Sequence, residues 1–227
     1  MKLWAWIPAR GGSQSIPRKN IQLFCNIPLL VHSIRYALSN TMIQRVIVTT
    51  DDSEIFTIAS QAGAECILRP ASISEHYTRD EEVLAHLCEY FKDSPPDWWI
   101  QLRPTYPIRP KHLLQTMIQT YCPNKLIHAV RTVVPAEHSP LKMYTIDESI
   151  LVPLFTQWKQ VNQPHDAPRQ LLPSCYWHNG CIDMIRHTIF LQYKTCFPPN
   201  TTAHEMNMNE IHDIDTWDDF HNAEKNI

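Results

Sequence analysis

Two glycines and three cations crowd into fourteen residues near the start of this chain. The stretch Ile7–Asn20, IPARGGSQSIPRKN, holds Arg10, Gly11, Gly12, Arg18 and Lys19. Glycines let backbone N–H groups come close to an anion and the cations neutralise it, so the stretch reads as a cradle for phosphates. It has neither the G-x-x-x-x-G-K-S/T spacing of a P-loop nor the G-x-G-x-x-G spacing of a dinucleotide turn. At the far end of the chain, Asp213 and Asp215 flank Ile214. On an extended backbone, residues i and i+2 share a face, so two carboxylates would converge while Ile214 turns inward. That pattern suits a hard divalent cation. A solvated pair or a helix cap has the same three letters. Asp51–Asp52 is a second acidic pair that fits either a metal or a strand-to-helix turn.

The elements that must position these groups follow from apolar spacing. Leu3–Ile7 reads as a strand, Leu29–Leu38 as a helix and Val46–Thr50 as a strand. Ser53 is placed to cap a helix that runs to Gly63. Then come a short strand at Cys66–Leu68, a helix at Glu81–Phe91, a strand at Trp98–Leu102, a helix at Lys111–Tyr121 and a strand at Ile127–Val134. Strands alternating with helices of about ten residues imply βαβ units and a mainly parallel sheet. Ligands of such sheets sit beyond the carboxyl ends of the strands, where the cradle and Asp51–Asp52 would both fall. Regular structure returns with Asn179-Gly180 and a strand at Cys181–Ile185. Residues Ile211–Ile227 read as a short strand, then a helix capped by Thr216 with Phe220 and Ala223 inward.

The rhythm breaks between Pro135 and Pro173, where six prolines recur. This segment carries Leu141, Met143, Tyr144, Ile146, Leu151, Leu154, Phe155 and Trp158, too apolar to stay solvated. Met143–Ile146 and Ile150–Leu154 form an expected hairpin. The segment, taken as residues 135–175, reads as an arm that packs on a second copy of the chain.

At 227 residues and 44% hydrophobic, the chain suits a single domain, 1–227, with that arm embedded in it. A net charge of −3 argues against a nucleic-acid binder. The opening apolar run is too short for a signal-peptide core or a membrane span. Seven scattered cysteines without a C-x-x-C pair imply reduced thiols in a cytoplasmic protein.

The ordered set IPARGGSQSIPRKN, RVIVTTDD, LRP (68–70), LRPTYPIR (102–109), SPLK (139–142), PRQLLP (168–173), NG (179–180) and DIDTWDDF (213–220) resembles the acylneuraminate cytidylyltransferases, the CMP-sialic and CMP-nonulosonic acid synthetases. The resemblance implies a doubly wound α/β nucleotidyltransferase domain with a proline-rich dimerisation arm. It implies an enzyme that joins CTP to a nine-carbon acidic sugar with Mg2+ and releases pyrophosphate, working as a homodimer. By that resemblance Arg10, Gly11, Gly12, Ser13, Lys19, Asn20 and Arg103 attend the nucleotide, and Asp213 and Asp215 hold the metal. Lys142, Arg169, Gln170 and Asn179 line the sugar pocket, and Arg10, Lys19, Asp215 and Lys142 do the catalytic work. Gln14-Ser15 replaces a lysine-glycine pair common in relatives, which leaves Ser15 in a backbone position that glycine usually takes. His76 and Tyr77 replace an expected Asp-Thr pair. Two other readings stay open: transfer to a shorter, eight-carbon acid, and a catalytically silent sugar-nucleotide-binding protein.

Overall fold

The computed structural model describes residues 1–225; the expected end of the last helix, at 226–227, lies outside the described residues. Strand β1 (Leu3–Pro8) is buried on both faces. Leu3, Ala5 and Ile7 enter one core layer and Trp4 and Trp6 the other, which is the two-residue alternation of a central strand. After the cradle come a small hairpin, β2 (Leu23–Phe24) and β3 (Ile27–Pro28), and then α1 (Leu29–Leu38). The alternation continues through β4 (Arg45–Thr50), α2 (Ser53–Gln61), β5 (Glu65–Leu68), α3 (Asp80–Tyr90), β6 (Trp98–Gln101), α4 (Leu113–Tyr121) and β7 (Ala129–Pro135). The arm holds two hairpins, β8 (Tyr144–Asp147) with β9 (Ile150–Pro153), and β10 (Gln157–Trp158) with β11 (Val161–Asn162). The chain closes with β12 (Tyr176–Arg186), α5 (His187–Tyr193), β13 (Thr201–Glu205) and α6 (Trp217–Glu224).

Seven strands form one sheet in the order β13-β7-β12-β6-β1-β4-β5. All run parallel except β12, which is antiparallel to both β6 and β7. Helices α1, α2 and α4 bury Ile34, Ile55 and Met117 on one face, and α3 and α5 bury Leu84 and Phe190 on the other. The sheet is therefore doubly wound and mainly parallel. The chain steps outward from β1 to β4 and β5, then returns to lay β6 on the opposite side of β1. The order reverses between β1 and β6, and a crevice opens past their carboxyl ends.

Three local readings change. Asp52, not Ser53, caps α2, because its carboxylate accepts from the N–H groups of Glu54 and Ile55. Strand β12 is far longer than Cys181–Ile185, since a bulge lets pairing with β7 resume at Tyr176–His178. The segment around Asp213–Asp215 joins no strand; one backbone tie is the Ile214 N–H to the Thr105 carbonyl at 2.8 Å.

That segment is held by packing instead. Ile214 is fully buried with Ile16, Phe24, Leu29, Phe220 and Ala223 in a third apolar cluster. One end of the cluster is the cradle loop and the other is α6, whose capping box pairs Thr216 with Asp219. The β8–β9 hairpin turns on Glu148 (φ 43°) and Ser149 (φ 75°), both left-handed as a two-residue turn requires. Its apolar side chains Ile146, Ile150 and Leu151 are all more than three-fifths exposed. Ile214→Ala should lower stability by about 2–5 kcal/mol, the scale of a buried aliphatic truncation. A urea midpoint matching the parent protein would show that the tail is not anchored through this cluster.

Candidate active site

The crevice between β1 and β6 widens into a cavity of about 610 Å³. The cradle contributes Arg10, Ser13, Gln14, Ser15, Lys19 and Asn20 to its wall, and the tail contributes Asp213 and Asp215. The two ends of the chain thus meet around one space. The joint is Lys19, whose Nζ donates to the Ile214 carbonyl at 2.8 Å and to Asp215 Oδ1 at 3.1 Å. The lysine side chain is only 9% exposed and that of Asp215 is 74% exposed. An almost buried ammonium needs such partners, so Lys19 fixes the tail as much as the tail fixes Lys19.

Each cradle residue has a traceable support. The Asn20 amide donates to the Arg10 carbonyl at 2.9 Å, which folds the loop back on itself. Arg10 Nη1 donates to the carbonyls of Glu75 and His76, leaving its other guanidinium donors for a ligand. The Gly11 N–H donates to Asp51 Oδ1 at 3.1 Å, and a Cβ on Gly11 would lie 2.7 Å from Asp52 Oδ2. Glycine is therefore required at 11 by the capping aspartate. A Cβ on Gly12 would meet nothing within 4 Å. The loop's left-handed residue is Arg18 (φ 53°), not Ser15, so the glycine-to-serine departure carries no backbone strain. Arg18 points away to Asp52 and Glu54 at 3.0 and 2.8 Å, and the Arg18 bond holds the Asp52 carboxyl below its ordinary range. Asp51 and Asp52 are thus both engaged in holding the turn.

Burial, with the neighbouring charge of Asp215, pushes the Asp213 carboxyl up, against a hydrogen bond from Thr105. Two like charges beside each other, one of them desolvated, make a site that gains from a cation. A divalent oxygen-seeking ion commonly takes one or two carboxylates and completes its shell with water and phosphate oxygens. The described residues contain no cluster of three or more His, Cys, Asp or Glu side chains set to hold a metal, so the pair fits that shared mode of binding and not a closed cage.

Sequence reasoning missed several wall residues. Arg69, at the end of β5, is buried and lines the cavity, and its Nη1 has no hydrogen-bond partner among the described residues. Burial lowers its pKa, with Arg10 adding to that and Asp51 opposing it. The LRP triplet was its only signal. Thr78, Asp80 and Thr105 also line the cavity.

Five expected positions differ. Arg103 lines the cavity, but it is locked between Asp80 (2.6 Å) and Asp183 (2.9 Å) and is no free cation for a nucleotide. Asn179 is buried, with its Oδ1 accepting from the Cys181 N–H and its Nδ2 against the Met206 sulfur, so it shapes the β12 bulge and presents nothing to the cavity. Lys142 sits in the arm, its Nζ donating to the His165 carbonyl, and is not part of this wall. Arg169 lines a separate cavity of about 230 Å³ with Ser139 and Cys175, and Gln170 is exposed on the adjoining turn. Within one chain, then, none of Lys142, Arg169 and Gln170 lines the cleft.

A doubly wound sheet with a cation-rich loop and an acidic pair facing each other across its switch point defines a nucleotidyl-transfer fold and site. The chain belongs to the cytidylyltransferase family, whose model matches residues 5–151. It is 27% identical over 226 residues to a pseudaminic acid cytidylyltransferase of Campylobacter jejuni, covering 97% of this chain and 94% of the relative. It is 25% identical over 222 residues to an N-acylneuraminate cytidylyltransferase of Streptococcus agalactiae, covering 97% of this chain but 52% of that relative. A solved CMP:2-keto-3-deoxy-manno-octonic acid synthetase complexed with CTP superposes with a TM-score of 0.71 at 17% identity, over 99% of this chain and 98% of the other, a likeness of fold. No helix among the described residues is long and apolar enough to cross a membrane.

Burial works against the Asp183 carboxylate, but bonds from His178 and Arg103 outweigh it and lower its pKa. A depressed carboxyl stabilises the fold above its unfolded value of about 3.9, and that contribution is lost as pH falls through the lower folded value. Unfolding free energy should therefore decline below about pH 4, and Asp183→Asn should flatten that decline in urea titrations. Gly11→Ala should cost about 1–3 kcal/mol through collision with Asp52.

Proposed function

We propose that this protein transfers a cytidylyl group from CTP to a nonulosonic acid, giving the CMP-sugar and pyrophosphate. The observation that carries this reading is the meeting of Lys19 with the Asp213–Asp215 segment in the same cavity as Arg10. The pseudaminic and N-acylneuraminate names of the relatives support the substrate class. In the transfer, the sugar hydroxyl attacks the α-phosphorus and pyrophosphate leaves. Most of the catalysis comes from alignment and charge neutralisation.

Arg10 and Lys19 would meet the triphosphate, with Ser13 and the Gly12 N–H at its edge and Asn20 keeping the loop closed. Asp213 and Asp215 would hold Mg2+, which when bound offsets charge on the phosphate oxygens. One of these two carboxylates would assist removal of the hydroxyl proton. The exposed apolar hairpin of the arm would seat a second copy of the chain, forming a homodimer and carrying Lys142 and Arg169 toward the partner's cleft.

Incubation with CTP, Mg2+ and a panel of nine-carbon and eight-carbon acids should release pyrophosphate with a nine-carbon member. No release from any sugar by the folded protein would refute the reading. Asp215→Ala should cut turnover by roughly 100-fold, the scale of losing one transition-state stabiliser; a near-parental rate would remove it from the machinery. Ile146→Glu with Leu151→Glu should convert a dimer to a monomer in sedimentation, and an unchanged mass would show that the arm does not join subunits.

A further inference from the structure

A row of charged side chains runs from the cleft wall, at Asp80 and Arg103, back to Asp183 and His178 on β12. His178 Nε2 lies 2.8 Å from Asp183 Oδ1, Asp183 Oδ2 accepts from Arg103 Nη1 at 2.9 Å, and Arg103 Nη2 donates to Asp80 Oδ2 at 2.6 Å. The β12 bulge builds this row. His178 pairs with Val133 and Asp183 with Arg131, so five residues of β12 span two of β7. Residues five apart on a regular strand face opposite ways; the three extra residues restore parity and bring both side chains to one face. Gly180, at φ 70° within the bulge, leaves room for the guanidinium, since a Cβ there would lie 3.3 Å from Arg103 Nη1. The Arg103 carbonyl is clamped too, accepting from Arg109 Nη2 at 2.7 Å and Ser33 Oγ at 3.1 Å.

The charge of the row decides what it can hold. Arg103 bonds both carboxylates and Arg131, paired with Asp183 from β7, adds a second guanidinium, so the row carries no surplus charge with His178 neutral. Moving Arg103 to a phosphate would leave Asp80 without its cation and take from Asp183 the guanidinium bonded to it, which is costly. Arg10, by contrast, bonds only to backbone carbonyls, and Arg69 has an unpartnered Nη1. Anions belong with those two. Asp80, with Oδ2 on Arg103, keeps Oδ1 to accept a bond, and Arg103 keeps N–H donors beyond those on Asp183, Asp80 and the Gly180 carbonyl.

We propose that this row is a specificity element that receives a neutral acylamino group of the sugar, its N–H accepted by Asp80 and its carbonyl bound by Arg103. Asp183 and His178 act as positioning residues that hold Arg103. This rests on the nonulosonic-acid reading above. Two measurements on the full chain test it: calorimetry with Mg2+ and CTP, and the KM for two sugars that differ only in an acylamino group replaced by hydroxyl. Arg103→Gln and Asp80→Asn should bind CTP within about twofold of the parent. Each should raise the KM for the acylamino sugar about tenfold, the worth of one hydrogen bond to a charged group, with the hydroxyl sugar little changed. A tenfold loss of CTP affinity in Arg103→Gln, or equal KM changes for both sugars, overturns the proposal. If Arg103→Gln fails to fold, Asp80→Asn, which keeps the Arg103–Asp183 pair, carries the same comparison. A parent protein that binds CTP yet releases pyrophosphate with no sugar sinks the transfer reading instead, and the CTP calorimetry then still decides whether the row serves the nucleotide.

Discussion

The ammonium of Lys19 joins residues 195 and 196 positions away in sequence, at the Ile214 carbonyl and the Asp215 carboxylate. Nearly every feature of the cleft depends on that contact. A lysine buried this deeply is tolerable only if oxygen atoms surround it. The tail supplies them, and Ile214 drives the tail into place by sharing an apolar cluster with Ile16 of the cradle and Phe220 of the last helix. Hydrophobic burial sets where the cradle and the tail segment meet, and the lysine sets the orientation in which they meet.

The cleft divides by how its arginines are partnered. Arg10 is held by backbone carbonyls and keeps its charge for a ligand, whereas Arg103 is compensated by two acids. Arg109, a few residues beyond Arg103, never reaches the cleft. It is fully engaged with the Cys181 carbonyl, Ser33 and the Arg103 carbonyl, cross-linking β12, α1 and the loop after β6. Three arginines of similar sequence appearance therefore have three different fates, determined by which carboxylates and carbonyls the sheet brings near each. Burial makes each pairing costly to exchange, which fixes the division.

The arm differs from the rest of the chain. Its hairpin meets the local geometric demands of a turn, yet Ile146, Ile150 and Leu151 stay largely exposed among the described residues. Strand alternation and turn residues suffice to make a hairpin, but apolar surface of that extent is stable in water only when something covers it.

The sequence by itself determined the alternation of strands and helices, the cation-rich character of the opening loop and the inward turn of Ile214, because these follow from periodicities and residue types within a few positions. The hairpin and the Thr216 cap were legible for the same reason. The sequence did not reveal that Arg103 is neutralised, that Asn179 shapes a bulge, or that Arg69 and Asp80 line the cleft. Those facts depend on which strands become neighbours and on a parity shift in β12, and neither leaves a local mark in the letters. Tertiary structure decides the partnering of charges because a side chain's electrostatic environment comes from residues tens to hundreds of positions away.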